Sequence, residues 1–253
     1  MFRPVHSFNS GGVEIAYDVA GEGQPILLIH GFASNGRVNW WSTGWVKTLA
    51  DAGRRVIIVD NRGHGASQKL YDPALYSAPG MAEDARRLLD HLEIAQADVM
   101  GYSMGARIAA FLAINHPERV NRAIFAGLAS RMITGVGGSD AIAAGLEARS
   151  LADVTDEAAR SFRVFAEQTK GDLKALAACM RASRVKIAAA ELSRIPVPVL
   201  VVAGENDELA GDVATLVAAI PGASGVTLPG RDHMNAVGDK GYKQAVLAFL
   251  KSA

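Results

Sequence analysis

The sequence predicts an α/β protein, a mainly parallel sheet covered by helices on both faces and interrupted once by a helical insertion. Three observations carry this. Short runs rich in Val and Ile recur along the chain: "QPILLIH", "RRVIIVD", "ADVMGYS", "NRAIFAG" and "VPVLVVAG". Each is too short for an ordinary helix and apolar almost throughout, the pattern of strands buried on both faces. Helix-length segments lie between them, as parallel neighbours require. The alternation then stops after "FAGLAS" and resumes at "IPVPVLVVAG".

With 253 residues and 49% apolar content, the chain suits a single hydrophobic core carrying an insertion. Lys plus Arg and Asp plus Glu both number 26, so the formal net charge is zero and no block of like charge stands out. That balance argues against nucleic acid as a partner. The opening "MFRPVHSFNS" lacks the apolar stretch of a secretory signal, and no apolar run approaches the ~18 residues needed to span a bilayer. The reading is a cytoplasmic protein with no membrane partner. Its one cysteine, Cys179 in "ALAACMRAS", cannot form an internal disulfide and reads as a small packing residue.

The elements follow in order. "GVEIAYDVAGEGQPILLIH" holds two strand-like runs separated only by Gly21 to Gln24, with no room for a crossover helix, and reads as an antiparallel start. "NGRVNWWSTGW" supplies Trp40, Trp41 and Trp45, mainly as packing residues, and Arg37 reads as a solvated loop arginine. "SAPGMAEDARRLLDHLEI" repeats Met81, Ala85, Leu88, Leu89 and Leu92 at three- and four-residue intervals, which is one apolar helical face. The boundaries expected are 1–130 and 195–253 for the sheet body and 131–194 for the insertion, which is alanine-rich and helical. "TGVGGSD" reads as a hinge leading into it. Thr155 is placed to cap a helix there, with Asp156 and Glu157 at the positive end. Leu173, Leu176, Ala177 and Met180 make an apolar stripe farther on.

Chemistry is concentrated in "VMGYSMGARIAAF". Gly-x-Ser-x-Gly alone is weak evidence, but here Val99 to Gly101 finish a strand and "MGARIAAFLAINH" starts a helix at once. A strand-turn-helix elbow forces Ser103 into a strained conformation, exposes its hydroxyl and aims the helix's free amides at the same point. A displayed serine needs a histidine base. His6 and His91 read as surface residues. His116 follows Ser103 by a whole helix, roughly 20 Å at ~1.5 Å per residue, and lies at the wrong end of the sheet. His64, in "DNRGHGAS", reads as a structural turn residue, and His30 as shaping the loop that follows it. His233, in "LPGRDHMNAVG", lies on a loop between a strand and the last helix, and it is the candidate base. Asp207, in "GENDEL", is the candidate carboxylate, ahead of Glu205 as a loop residue and Asp232 as too close to bridge its own neighbour. The oxyanion donors expected are the backbone N–H groups of Phe32 and Met104.

"HGF" at 30 to 32, "DNRGHGAS" at 60 to 67, "GYSMG" at 101 to 105, "GEND" at 204 to 207 and "RDHMN" at 231 to 235, in that order, resemble the α/β-hydrolase superfamily. The resemblance covers nearly the whole chain outside the insertion. It implies an eight-stranded, mostly parallel sheet with helices on both faces, a Ser103, Asp207, His233 triad and a small helical cap over the pocket. It implies that Asp60, Arg62, Gly63, His64 and Gly65 are structural, near the entrance. A serine at the elbow separates the chain from haloalkane dehalogenases and related epoxide hydrolases, which carry aspartate there. The implied partner is a small-molecule ester or related acyl substrate, with no cofactor and no metal. Lactonases, carbon–carbon bond hydrolases acting on diketones and cofactor-free perhydrolases use the same residue set, so those readings stay open. So does a non-catalytic ligand-binding protein on this fold, although such a protein need not keep all three positions. The insertion's only aromatics are Phe162 and Phe165 among mixed charges, which argues against a lipid-docking lid and for small acyl groups. Met180 and Phe165 are expected to set acyl-chain preference, and one of the three tryptophans is a candidate for the acyl pocket.

Overall fold

The computed structural model describes residues 6–251. Its elements run β1 (His6–Ser10), β2 (Val13–Ala20), β3 (Gln24–Ile29), α1 (Trp45–Asp51), β4 (Arg54–Val59), α2 (Ala78–His91), β5 (Ala97–Tyr102), α3 (Met104–Asn115) and β6 (Val120–Ala126). Five helices follow without a strand: α4 (Arg131–Thr134), α5 (Ser139–Glu147), α6 (Glu157–Gln168), α7 (Leu173–Ala182) and α8 (Ala189–Leu192). The pattern then resumes with β7 (Val199–Gly204), α9 (Val213–Ala219), β8 (Ser224–Leu228) and α10 (Lys240–Lys251).

The eight strands form one sheet in the order β1-β2-β4-β3-β5-β6-β7-β8. From β4 to β8 all pairings are parallel, and β2 is antiparallel to both β1 and β4. This is the mostly parallel eight-stranded sheet that the motifs imply, and the five Val- and Ile-rich runs are β3 to β7. The antiparallel start differs in one respect: β2 does not pair with β3, because β4 lies between them, with Tyr17 opposite Val59. Polarity explains the choice. β3 buries its last four residues and takes a parallel neighbour on each side, whereas β2 carries the polar Glu14 and Asp18 and sits nearer the edge.

Because strand side chains alternate, each inner strand feeds two cores. Leu27, Ile29, Ile57, Val59 and Val99 face a core shared with α2, α3, α9 and the helices between β6 and β7. Ile26, Leu28, Val56, Ile58 and Met100 face a second core with α1 and α10. The α2 face is buried at Met81, Ala85, Leu88 and Leu89, and Ser77 caps this helix by accepting from the Gly80 N–H at 3.2 Å. Trp40 and Trp45 lie wholly inside the second core, where Trp45 meets Tyr242 edge-on at 4.5 Å and donates to the Val237 carbonyl at 2.6 Å. Trp41 is exposed. The tryptophans thus join α1 to α10, and none lines the pocket described below.

In the segment between β6 and β7, α6 is capped by Asp156 and not by Thr155: the Asp156 carboxylate accepts from the Ala159 N–H at 2.7 Å. A carboxylate directly before the first turn can reach the third amide and also meets the helix's positive end. Leu176, Ala177 and Met180 bury the α7 stripe, with Leu173 partly covered at its start. Arg163, itself buried, pairs with Glu167 at 2.7 Å and donates from one nitrogen to the Gly145, Leu146 and Ala148 carbonyls, tying α6 to the end of α5. Among the described residues no helix is long and apolar enough to cross a membrane. Since β3, β5, β7 and β8 run parallel, the loops leaving them meet along one edge of the sheet.

Candidate active site

Ser103 stands between β5 and α3 with φ +55° and ψ −114°, a conformation that side chains rarely adopt. Two glycines hold the bend. A Cβ on Gly105 would lie 2.0 Å from the Ile29 carbonyl oxygen, and one on Gly101 2.1 Å from the Gly105 carbonyl oxygen. Neither position admits a side chain, so the motif's glycines record how tightly α3 presses on β3 and β5. The Ser103 N–H donates to the Ala126 carbonyl at 2.7 Å, which fixes the elbow to β6 as well.

The structure brings Ser103, His233 and Asp207 into one hydrogen-bonded chain. The Ser103 Oγ lies 3.1 Å from His233 Nε2, and His233 Nδ1 lies 2.9 and 2.8 Å from the two Asp207 oxygens. Nδ1–H donates to the carboxylate, which leaves Nε2 as an acceptor toward the hydroxyl. The Asp207 side chain is fully buried and also accepts from the Ala210 N–H at 2.9 Å. Its rivals serve the loops. Glu205 accepts from the Gly230 N–H at 2.8 Å, and Asp232 accepts from the N–H groups of Met234 and Asn235 and from the Asn235 amide. Tyr102, the residue before the serine, donates its phenol to the His233 carbonyl at 2.6 Å. Burial pushes that phenol far above its usual range, so it stays a donor.

The other histidines lie apart from this chain. His6 and His91 are exposed and stack on Tyr17 and Phe8. His116 bonds Glu83, beyond the far end of α3. His30 is fully buried between its bonds to the Gly31 carbonyl and the Asn61 N–H, and desolvation pushes it down to about 4. His64, also buried, is pushed down to about 3 by desolvation first and the neighbouring His30 second. Both are neutral near pH 7. The segment around His64 is held by Arg62, whose Nε and Nη2 each reach the buried Asp84 carboxylate at 2.7 Å, and by Asp60, which accepts from the Gly36 and Ala66 N–H groups.

Ser103 opens into a cavity of about 40 Å³, lined also by Phe32, Met104, Arg107, Leu128, Val136, Phe162, Ser183, Arg184 and Leu209. Such a space holds two or three waters, or a small acyl group. Met104 is the first residue of α3, where a backbone N–H has no partner within the helix. Gly31 brings the Phe32 loop against the elbow, since a Cβ there would stand 3.4 Å from the Ser103 Cβ. The segment between β6 and β7 reaches the same place: Phe162 meets Phe32 edge-on at 5.8 Å, and Thr169 donates to the Ala33 carbonyl at 2.7 Å. The lining corrects two expectations. Phe162, and not Phe165 or Met180, faces the cavity, because α6 turns Phe162 toward Phe32 while Met180 is packed into the α7 core. Arg107 and Arg184 were not singled out by sequence, although Arg107 follows Ser103 by four residues and so lies on the same helical face.

Comparisons with known proteins bear on the fold that carries this site. A family model described as alpha/beta hydrolase fold matches residues 24–141. A 2-hydroxymuconate semialdehyde hydrolase from a Pseudomonas species is 37% identical over 133 residues, 53% of this chain and 46% of that protein. A 3-oxoadipate enol-lactonase from Acinetobacter baylyi is 32% identical over 166 residues, 60% of this chain and 61% of that protein. The chain thus spans about half the length of the curated relatives it matches. Among solved structures, a hydrolase from Pseudomonas aeruginosa superimposes with a TM-score of 0.81 at 26% identity, covering 98% of both chains.

Proposed function

We propose, for a chain that belongs to the α/β-hydrolase fold family, that it is a serine hydrolase cleaving small carboxylic esters through an acyl-enzyme. One observation carries the reading: a strained serine at the head of a helix, within 3.1 Å of a histidine whose other nitrogen is held by a buried aspartate. In the reaction, Ser103 Oγ attacks the ester carbonyl carbon while His233 Nε2 takes the hydroxyl proton, and Asp207 stabilises the imidazolium that forms. The carbonyl oxygen becomes an oxyanion facing the N–H groups of Phe32 and Met104. As the carbonyl re-forms, the C–O bond to the alcohol breaks and His233 returns its proton to the leaving oxygen. Water then repeats the sequence on the acyl-serine and releases the acid. On this reading residues 131–194 act as a cap that sets substrate choice and supplies none of the three reacting residues. The relative named as an enol-lactonase supports lactones as a second substrate class, since ring opening needs the same steps.

The test is labelling by a fluorophosphonate followed by intact-protein mass spectrometry, alongside turnover of p-nitrophenyl esters from acetate to palmitate. One adduct on Ser103, absent in Ser103→Ala, and a preference peaking at short chains are expected. No adduct in folded protein that turns over ester overturns the serine. Activity climbing through palmitate, with a jump when a lipid interface forms, overturns the small-substrate reading.

A further inference from the structure

The charged residues of the cavity do not match its proposed neutral substrate. Among the described residues three arginines are buried: Arg62, Arg107 and Arg163. Arg62 holds the Asp84 carboxylate and Arg163 holds Glu167, each at 2.7 Å. Arg107 holds no carboxylate. Its Nη1 donates to the Val185 carbonyl, and its side chain lines the cavity one helical turn beyond Ser103. Arg184 lines the same cavity from the end of α7, donates from Nη1 to the Val136 and Gly137 carbonyls, and lies over the Phe162 ring at 5.8 Å. No ion pair joins Arg184 to any acid among the described residues either. Burial pushes both guanidiniums down, and for Arg107, pushed down to about 10, the neighbouring Arg184 adds to the effect. A buried cation without a counter-charge is costly, and two sharing one small cavity cost more. Yet each has spent only one of its nitrogens on a carbonyl, which leaves planar N–H groups for a further acceptor. The fork geometry of guanidinium matches a carboxylate.

We propose that the substrate carries a free carboxylate, and that Arg107 and Arg184 bind it inside the cavity next to Ser103. The inference rests on the serine-hydrolase reading for the chemistry but not for the binding. The substrate supplies the counter-charge, so specificity comes from pairing what the protein's own side chains leave unpaired. A neutral ester of the same length leaves the buried Arg107 and the half-buried Arg184 without an anion, and is disfavoured for that reason.

Two measurements separate this inference from the reading beneath it. The first compares kcat/KM for the mono-p-nitrophenyl ester of glutaric acid with that for p-nitrophenyl methyl glutarate, in which the distal carboxylate is masked. We expect the anionic ester to be favoured at least ~10-fold, the scale of a hydrogen bond to a charged group. That ratio should fall at least ~10-fold in Arg184→Met and in Arg107→Met, with Arg184→Lys retaining part of it. If Arg107→Met does not fold, as judged by thermal unfolding, Arg184→Met alone carries the test. The second measures glutarate binding to Ser103→Ala protein by calorimetry, with and without Arg184→Met. Binding that weakens at least ~10-fold on loss of Arg184 supports the anion site even if no ester is turned over, in which case the hydrolase reading fails alone. A wild-type enzyme that favours the methyl ester, a ratio unmoved by the arginine variants, or no glutarate binding at all would overturn the inference.

Discussion

The two sides of the Ser103 site handle charge in opposite ways. On the side built from the loops after β7 and β8, the groups nearest Ser103 are already paired: Asp207 holds His233 and the Ala210 amide, and His233 holds Ser103. On the side built from α3 and the end of α7, two guanidiniums donate to carbonyls and meet no carboxylate. The first half is complete before any ligand arrives and is therefore suited to chemistry that needs preset geometry. The second is incomplete alone, which suits selection of the ligand that completes it. The lesson is that a site's reactive residues and its selective residues can be told apart by whether their interactions are closed.

The sharpest way to break this contrast is on the closed side. Ser103→Ala and His233→Ala are each expected to lower kcat/KM by about 10⁴-fold or more, with the double variant little worse than the worse single one. Multiplicative losses, read from kinetics on one ester, would mean that the two residues do not work as one unit. Next in size, Asp207→Asn should cost on the order of 10²–10⁴-fold by releasing the imidazole's tautomer, while Glu205→Gln and Asp232→Asn stay within severalfold of wild type. The reverse ranking would reassign the carboxylate.

A smaller effect tests the closed framework through stability. His30 and His64 titrate near 6.5 when unfolded, but only at about 4 and about 3 when folded. In the window between, the unfolded chain binds protons that the folded chain does not, so stability is fully present above pH 6.5 and falls as pH drops toward 4 and then 3. We expect a loss of a few kcal/mol between pH 7 and 4, on the order of one to three per histidine, and a shallower profile for His64→Asn in urea unfolding at several pH values. A flat wild-type profile would show that these histidines do not stay neutral when folded. The smallest effect concerns the open side. Phe162→Ala should move the preferred acyl chain longer by a methylene or two, each worth about 0.8 kcal/mol or roughly fourfold in kcat/KM, whereas Phe165→Ala leaves the preference in place. An unmoved optimum in Phe162→Ala would remove that ring from the acyl pocket.

Most of the sheet was legible because β3 to β7 are buried on both faces, and continuous apolar runs have few other readings. β1 and β8 were not among those runs: "HSFNS" and "SGVTL" lie at the two edges and need little apolar content. The pairing of β2 with β4 was hidden because strand order depends on contacts between distant segments, which no local pattern encodes. In the candidate site, Ser103, Asp207 and His233 were singled out through turn chemistry and elimination, and the structure hydrogen-bonds the three together. The pocket wall was harder. Phe162 and Phe165 are three residues apart on one helix, so spacing alone does not say which of them meets Phe32. Arg107 carried a signal that went unread: four residues past Ser103 on the same helix, an arginine amid alanines is a charge with nowhere to go but the cavity. Arg184 had none, because its position depends on how the chain turns after α7.

The bond from the Tyr102 phenol to the His233 carbonyl spans 131 positions of sequence. It joins the residue beside the proposed nucleophile to the proposed base, so the elbow and the His233 loop are latched together late. During synthesis, Ser103 emerges long before residue 233, and until β7 and β8 have docked it has neither base nor latch. On the proposed mechanism, a growing chain therefore carries a dormant serine, harmless to the esters around it. Reactivity becomes a timer for completed folding: on refolding, ester turnover should appear only after the helical signal has returned, with a lag set by the docking of the last two strands.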